Sequence, residues 1–231
     1  MSKYVFEPPR VVSVPVHGGG LFPVRRIFCI GRNYSAHVKE MGNDPKSSPP
    51  IFFGKPADAI TPSGAKIPYP LHTRDLHYEA ELVVALKSGG VHILQDDALG
   101  HVFGYAAGCD LTRRDLQREA KERGAPWMLA KGFDHSAPIG AIARIEDFTL
   151  ADDARITLSL NGATRQDATL NEMIWSVPEI IESLAERFEL KPGDLIYTGS
   201  PEGVGPLQIG DKVEITIGDM PALTFTMTEL Q

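Results

Sequence analysis

The chain has 231 residues, 42% of them hydrophobic, with a formal net charge of −7 and two cysteines. That is enough apolar material for one sizeable core, and no stretch approaches the roughly 18 apolar residues of a membrane-spanning helix. No Lys/Arg-rich block offsets the acidity, which argues against nucleic acid or an anionic membrane as partner and requires any anionic substrate to be met by a local cation.

Met1 to Arg10 lacks the basic, apolar and small-residue order of a signal peptide, so a cytoplasmic location is expected. Val11 to Val16 and Val24 to Ile30 read as strands broken by Gly18-Gly19-Gly20, a hairpin pattern. From Gly31 to Met41 a glycine-led turn opens a short helix, ended by Gly42, that carries His37 and Glu40 at i,i+3. The carboxylate can hold the imidazole in one tautomer and support it as a base, although such pairs are often solvated surface pairs. Its place between a strand and a Gly/Pro/Ser loop is where lids are built. Ile51 to Pro56 is a strand ending near Lys55, a surface lysine or a substrate clamp, and residues 57–69 read mostly as loop.

Glu79 and Glu81 stand at the mouth of the apolar run Leu82 to Leu86, which reads as a buried strand. In a strand, residues i and i+2 share a face, so the two carboxylates converge and repel unless a cation lies between them. An oxygen-only pair suits a hard ion such as Mg2+ or Mn2+; a solvated edge face is the bland alternative. Asp110 ends a later strand, where it serves either as a third carboxylate for that cation or as the N-cap of a helix over Thr112 to Arg123. Lys131, flanked by Trp127, Leu129 and Phe133, either snorkels to water or is buried beside an anion.

Ile156 to Leu160 with Asn161-Gly162 begins a hairpin, and an amphipathic helix is expected after Pro178. Leu195 to Tyr197 leads into Thr198-Gly199-Ser200-Pro201, a loop whose hydroxyls and amides can bind a carboxylate but which lacks the Gly-Lys-Ser/Thr of a phosphate loop. Lys212 to Ile217 and Leu223 to Met227 close the chain as strands. Cys29 and Cys109, without a Cys-x-x-Cys context, read as buried thiols.

Gly31-Arg32-Asn33-Tyr34 with His37 and Glu40, His77-Tyr78-Glu79-Ala80-Glu81-Leu82, Asp110-Leu111-Thr112, Leu129-Ala130-Lys131 and Thr198-Gly199-Ser200-Pro201-Glu202-Gly203-Val204-Gly205-Pro206, in this order, resemble the fumarylacetoacetate hydrolase family. The likeness runs from about Val24 to the C-terminus and is nearest to the acylpyruvase and fumarylpyruvate hydrolase branch. It implies an α+β, mostly β fold with a mixed rolled β-sheet and a few short helices. A small N-terminal β segment with a lid helix (1–70) and a catalytic mixed-β part (71–231) would form one compact unit, and the chain a homodimer. It further implies Mg2+ or Mn2+ held by Glu79, Glu81 and Asp110, a water-activating dyad of His37 and Glu40 on a mobile lid, and Lys131 near the reacting oxygens. Arg32, Asn33, Tyr34, Lys55, Arg114, Gln117, Thr198 and Gly199 are the expected substrate contacts.

The chemistry that follows is hydrolysis of a 2,4-dioxo acid. The acid chelates the metal through its carboxylate and 2-oxo group, water deprotonated by His37 attacks the distal carbonyl, and a pyruvate enolate leaves. Fumarylpyruvate would give fumarate and pyruvate. Decarboxylation or keto-enol isomerisation of oxaloacetate needs a similar enolate without attacking water and is the alternative, with a non-catalytic metal-binding protein as a remote third.

Overall fold

The computed structural model describes residues 4–34, 46 and 49–230. At its centre runs the strand Ala80–Leu86, buried along its whole length. Leu82, Val84 and Leu86 enter one core while Val83 and Ala85 enter another, so a position between two layers demands an apolar run with no polar alternation. Antiparallel neighbours flank it on both sides, Asp194–Tyr197 and Val102–Cys109. Beyond Asp194–Tyr197 the sheet continues through the parallel strand Arg26–Gly31 to Ile51–Lys55 at one edge. Beyond Val102–Cys109 it continues through Ala137–Ile139 to the parallel strand Ile60–Pro62 at the other. With Ala143–Arg144, which also pairs with Val102–Cys109, this mixed, curled sheet has eight strands.

A second sheet of five strands, in the order Ala163–Thr169, Arg155–Leu160, Lys212–Ile217, Leu223–Thr228 and Ala65–Pro68, covers one face of the first. Its inward residues, among them Ile156, Leu158, Val213, Ile215 and Phe225, meet Leu82, Val84 and Tyr105 in the larger core. Helix Val177–Ala185 adds Ile180, Ile181 and Leu184 to that core. The opposite face is closed by the hairpin Ser13–Pro15 and Leu21–Pro23, whose Val14 and Phe22 pack with Ile27, Cys29, Val83 and Tyr197. Strands from before residue 70 and after it therefore share both sheets.

Several local expectations are corrected. The glycine-rich turn at Gly18 to Gly20 joins Ser13–Pro15 to Leu21–Pro23, and Arg26–Gly31 is a separate strand of the central sheet. Residues 57–69 are not mostly loop: Ile60–Pro62 and Ala65–Pro68 extend a sheet each, because tertiary pairing supplies partners that local sequence does not announce. Pro178 lies inside the first turn of Val177–Ala185, after a capping box of Ser176 and Glu179, since a first-turn proline forfeits no helical hydrogen bond. The helix expected from Thr112 begins at Arg114, because Thr112–Arg113 pairs with Leu76–His77; Asp110 therefore cannot be its N-cap. As expected, Asn161 and Gly162, both at positive φ, turn the chain between Arg155–Leu160 and Ala163–Thr169, and both cysteines are buried and free. Among the described residues no helix is long and apolar enough to cross a membrane.

Candidate active site

The strand Leu76–Tyr78 lies outside the central sheet, between Thr112–Arg113 and Gly205–Pro206 in a small sheet of its own, and Glu79 occupies the one-residue break before Ala80–Leu86 begins. Glu81 follows two residues later. Across the ladder Ala80 opposes Cys109, and the Asp110 amide donates to the Glu79 carbonyl at 2.9 Å. Strand register alone thus sets Asp110 beside the two glutamates. One ligand oxygen from each of the three lies within 4.8 Å of the others. Glu81 and Asp110 are each 1% exposed, whereas the Glu79 side chain keeps 12% of its surface.

Each carboxylate is held by its own partners. The Gly199 amide donates to Glu81 Oε2 at 2.9 Å. Gly199 has φ 98°, and a Cβ there would lie 2.6 Å from Asn33 Cβ, so both conformation and space require glycine. Lys131, on the short helix Met128–Lys131, is buried and donates to Glu79 Oε2 at 2.8 Å, Asp110 Oδ2 at 2.5 Å and Thr112 Oγ1 at 2.6 Å. The sequence left Lys131 between snorkelling and burial beside an anion; it is buried beside two. Lys55 is neither a surface lysine nor part of the pocket wall. It is buried behind Asp110, with Nζ 2.8 Å from Oδ1 outside hydrogen-bonding geometry, and it donates to the carbonyls of Leu111 and Lys131. Arg114, at the start of helix Arg114–Arg123, reaches Glu79 Oε1 at 2.5 Å and Gln117 Oε1 at 2.7 Å.

These contacts push the carboxyls apart. Burial would raise Glu79, but the charges of Lys131 and then Arg114 outweigh it and bring its pKa down to about 2. Glu81 goes the other way: burial, then the charges of Asp110 and Glu79, raise it well above the usual carboxylate range. Lys131 is opposed by burial yet held firmly charged by Asp110 and Glu79. A divalent cation fits this donor set. Three converging acids, one raised by burial and by its acidic neighbours and one with a buried oxygen that has no hydrogen bond among the described residues, are the hard oxygen ligands that Mg2+ or Mn2+ takes.

The carboxylates and Lys131 form the floor of a pocket of about 160 Å³, with Arg32, Arg114, Gln117 and Lys121 on its wall beside Phe53 and Trp127. Arg32, Arg114 and Gln117 thus stand where substrate contacts were expected. Asn33 and Thr198 do not reach the wall. The Asn33 amide donates to the Trp175 and Thr198 carbonyls and accepts from the Trp175 amide, while Thr198 Oγ1 donates to the Leu82 carbonyl at 2.9 Å. Tyr34 also lies off the wall, its buried hydroxyl without a hydrogen-bond partner among the described residues. His37 and Glu40 lie outside the described residues.

Lys121 and Gln166 escaped the sequence reading. Lys121 follows Arg114 and Gln117 at i+7 and i+4, so helical periodicity could have found it. Gln166 is fully buried on Ala163–Thr169. Its Oε1 accepts the Ala80 amide at 2.9 Å, between the two glutamates, and its Nε2 donates to Ser200 Oγ and the Pro201 carbonyl at 2.9 and 2.8 Å. A register shift in the hairpin leaves Arg165 unpaired just before it, an irregularity no local motif announces.

Comparison with known proteins bears on what such a site does. Residues 26–228 match the family described as fumarylacetoacetate (FAA) hydrolase C-terminal. The chain is 40% identical over 201 residues to the mitochondrial oxaloacetate tautomerase of Mus musculus, covering 87% of this chain and 90% of that one. It is 41% identical over 163 residues to a fumarylpyruvate hydrolase of a Ralstonia species, covering 71% and 84%. The crystal structure of fumarylpyruvate hydrolase from Pseudomonas aeruginosa in complex with Mn2+ and pyruvate superposes with a TM-score of 0.94 at 44% identity, covering 99% of this chain and 100% of that one.

Proposed function

The chain belongs to the fumarylacetoacetate hydrolase family, and on that premise we propose that it is a divalent-metal-dependent hydrolase that cleaves the C–C bond of a 2,4-dioxo acid, with fumarylpyruvate plus water giving fumarate and pyruvate. The observation that carries this reading is the floor of the pocket, where Glu79, Glu81 and Asp110 converge beside a buried, charged Lys131 under a wall of cations. Its likeness to a hydrolase described with Mn2+ and pyruvate supports the same assignment.

Glu79, Glu81 and Asp110 would hold Mg2+ or Mn2+, which would supply Lewis acidity to the 2-oxo acid end of the substrate. Arg114 and Gln117, neighbours on one helix face, orient the carboxylate of the pyruvate half. His37 takes the proton of the attacking water, with Glu40 holding the imidazole in the receiving tautomer. Water adds to the 4-carbonyl, the bond between C3 and C4 breaks, and its electron pair goes to the enolate oxygen of pyruvate. Lys131, kept charged by Glu79 and Asp110, sets its positive charge beside that oxygen and can turn to it the N–H it now gives to Thr112. Protonation at C3 completes pyruvate.

A second reading rests on the oxaloacetate tautomerase relative: keto-enol isomerisation of oxaloacetate, or its decarboxylation, uses the same cations and carboxylates without attacking water. A metal-binding protein without catalysis is the remaining alternative. One panel separates the three. With Mn2+ or Mg2+ present, fumarylpyruvate and shorter acylpyruvates should be consumed faster than oxaloacetate is isomerised or decarboxylated. The reverse order selects the second reading, and a metal that only raises the melting temperature selects the third. A homodimer working in the cytoplasm completes the proposal, the first checked by light scattering and the second by fractionation.

A further inference from the structure

Two cations on the pocket wall have no work in that chemistry. Arg32 and Lys121 both line the pocket, both are exposed at its mouth, and neither makes an ion pair with any described residue. Lys121 Nζ instead lies 5.3 Å from the centre of the Trp127 ring. Burial, then the charges of Arg32 and Arg114, hold its pKa below the usual lysine value, which marks the three cations as close and mutually repelling. In a chain of net charge −7, with acidic side chains in excess, such crowding without a carboxylate partner among the described residues is costly unless an anion visits. Arg32 bears a second cost: its φ is 61°, the left-handed conformation that non-glycine residues seldom adopt. Arg114 and Lys131, by contrast, already face Glu79.

The pocket therefore has three zones. Glu81, Asp110 and Lys131 are buried, Phe53 and Trp127 are part-buried and apolar, and Arg32 and Lys121 are exposed. We propose that Arg32 and Lys121 form a second anion subsite that seats the distal carboxylate of a diacid such as fumarylpyruvate and so select it over acylpyruvates whose acyl group is uncharged. This deepens the dioxo-acid reading above and rests on it for the seat of the 2-oxo acid end. A volume of about 160 Å³, below the roughly 300 to 1,000 Å³ of drug-sized pockets, favours such a compact diacid over a long acyl chain.

Binding of two unreactive seven-carbon acids to the Mn2+-loaded protein tests it by calorimetry. 2-Oxoheptanedioate has both carboxylates and 2-oxoheptanoate only the first, and neither has the 4-oxo group that cleavage needs. The diacid should bind about tenfold or more tighter, a preference of the size expected for one charge-assisted contact. That ratio should shrink with added salt and collapse several-fold in Lys121→Gln and in Arg32→Gln. Both side chains are exposed, so the variants should keep the wild-type circular dichroism. A wild-type ratio near one, or a ratio unchanged in both variants, overturns the subsite. Because nothing is turned over, failure of the hydrolase assignment in the substrate panel leaves this measurement readable.

Discussion

Lys131 Nζ lies 2.8 Å from Glu79 Oε2 while also donating to Asp110 Oδ2, so one buried ammonium bridges two of the three candidate metal ligands. Removing one member of a buried ion pair strands its partner, at a typical cost of about 3–5 kcal/mol. Lys131→Ala should destabilise the metal-free protein on that scale in chemical denaturation. Mn2+ should then recover a larger share of stability than in the parent, since it supplies the missing positive charge. An identical Mn2+-induced shift in both proteins would count against the shared role. Cleavage of acylpyruvates and decarboxylation of oxaloacetate should fall by similar factors, because both produce an enolate beside this lysine.

Glu79→Ala, Glu81→Ala and Asp110→Ala should each remove most activity and most metal-induced stabilisation, since each takes away one of the three anionic ligands and leaves the two cationic lysines beside the site less balanced. Calorimetric titration with Mg2+ and with Mn2+ checks this. Unchanged affinity in all three variants would sink the metal assignment.

His37→Ala should lose about 10²- to 10⁴-fold in acylpyruvate cleavage, the usual worth of general-base assistance. Decarboxylation of oxaloacetate, which needs no attacking water, should suffer less. Equal losses on both substrates would mean that the dyad does something other than activate water.

Gln166 can be tested by what each of its atoms faces. Gln166→Ala removes the acceptor for the Ala80 amide, whereas Gln166→Glu keeps that acceptor but turns an oxygen toward the Pro201 carbonyl. Both should cost about 1–3 kcal/mol in chemical denaturation, the range for a buried polar group left unpaired. Mn2+ affinity should drop further in the alanine variant, because only there is the backbone between Glu79 and Glu81 released. Parent-like affinity in both would reduce Gln166 to a packing residue.

The capping box predicts a pH effect of definite sign. Glu179 accepts from the Ser176 amide at 2.9 Å and pairs with Lys46. Partial burial opposes ionisation, but Lys46 and the Ser176 contacts win and lower its pKa. A carboxylate lowered on folding contributes stability that is present above its unfolded pKa and lost as pH falls through the folded one. Glu179→Gln should therefore flatten the decline of stability at and below the ordinary carboxylate range. Ser176→Ala should cost about 0.5–2 kcal/mol, as N-cap losses do. An acid limb as steep in Glu179→Gln as in the parent would refute the assignment.

The acidic centre was legible in the sequence for a physical reason. Two-residue spacing on an extended chain fixes a shared face, and a strand-end Asp needs only ladder register to join it, so Glu79, Glu81 and Asp110 could be read without coordinates. Other features depend on contacts distant in sequence. Gln166 meets Ala80 across 86 positions through an irregular hairpin, and the residues around Ile60 become strand only because Ala137–Ile139 and its neighbours offer an edge. Asn33 and Thr198 show the same dependence on distant contacts: inside a motif that suggests ligand binding, their side chains bond to carbonyls and amides of the backbone.

The break at Glu79 divides the three carboxylates by kind of backbone. Glu81 belongs to a strand buried along its length and paired on both sides, whose amides should exchange with solvent only through global unfolding. Glu79 sits at the change of sheet, where local opening is cheaper. An ion leaving this centre would let go of Glu79 first and Glu81 last, so its dissociation rate should follow the fraying of a single residue instead of the stability of the whole chain.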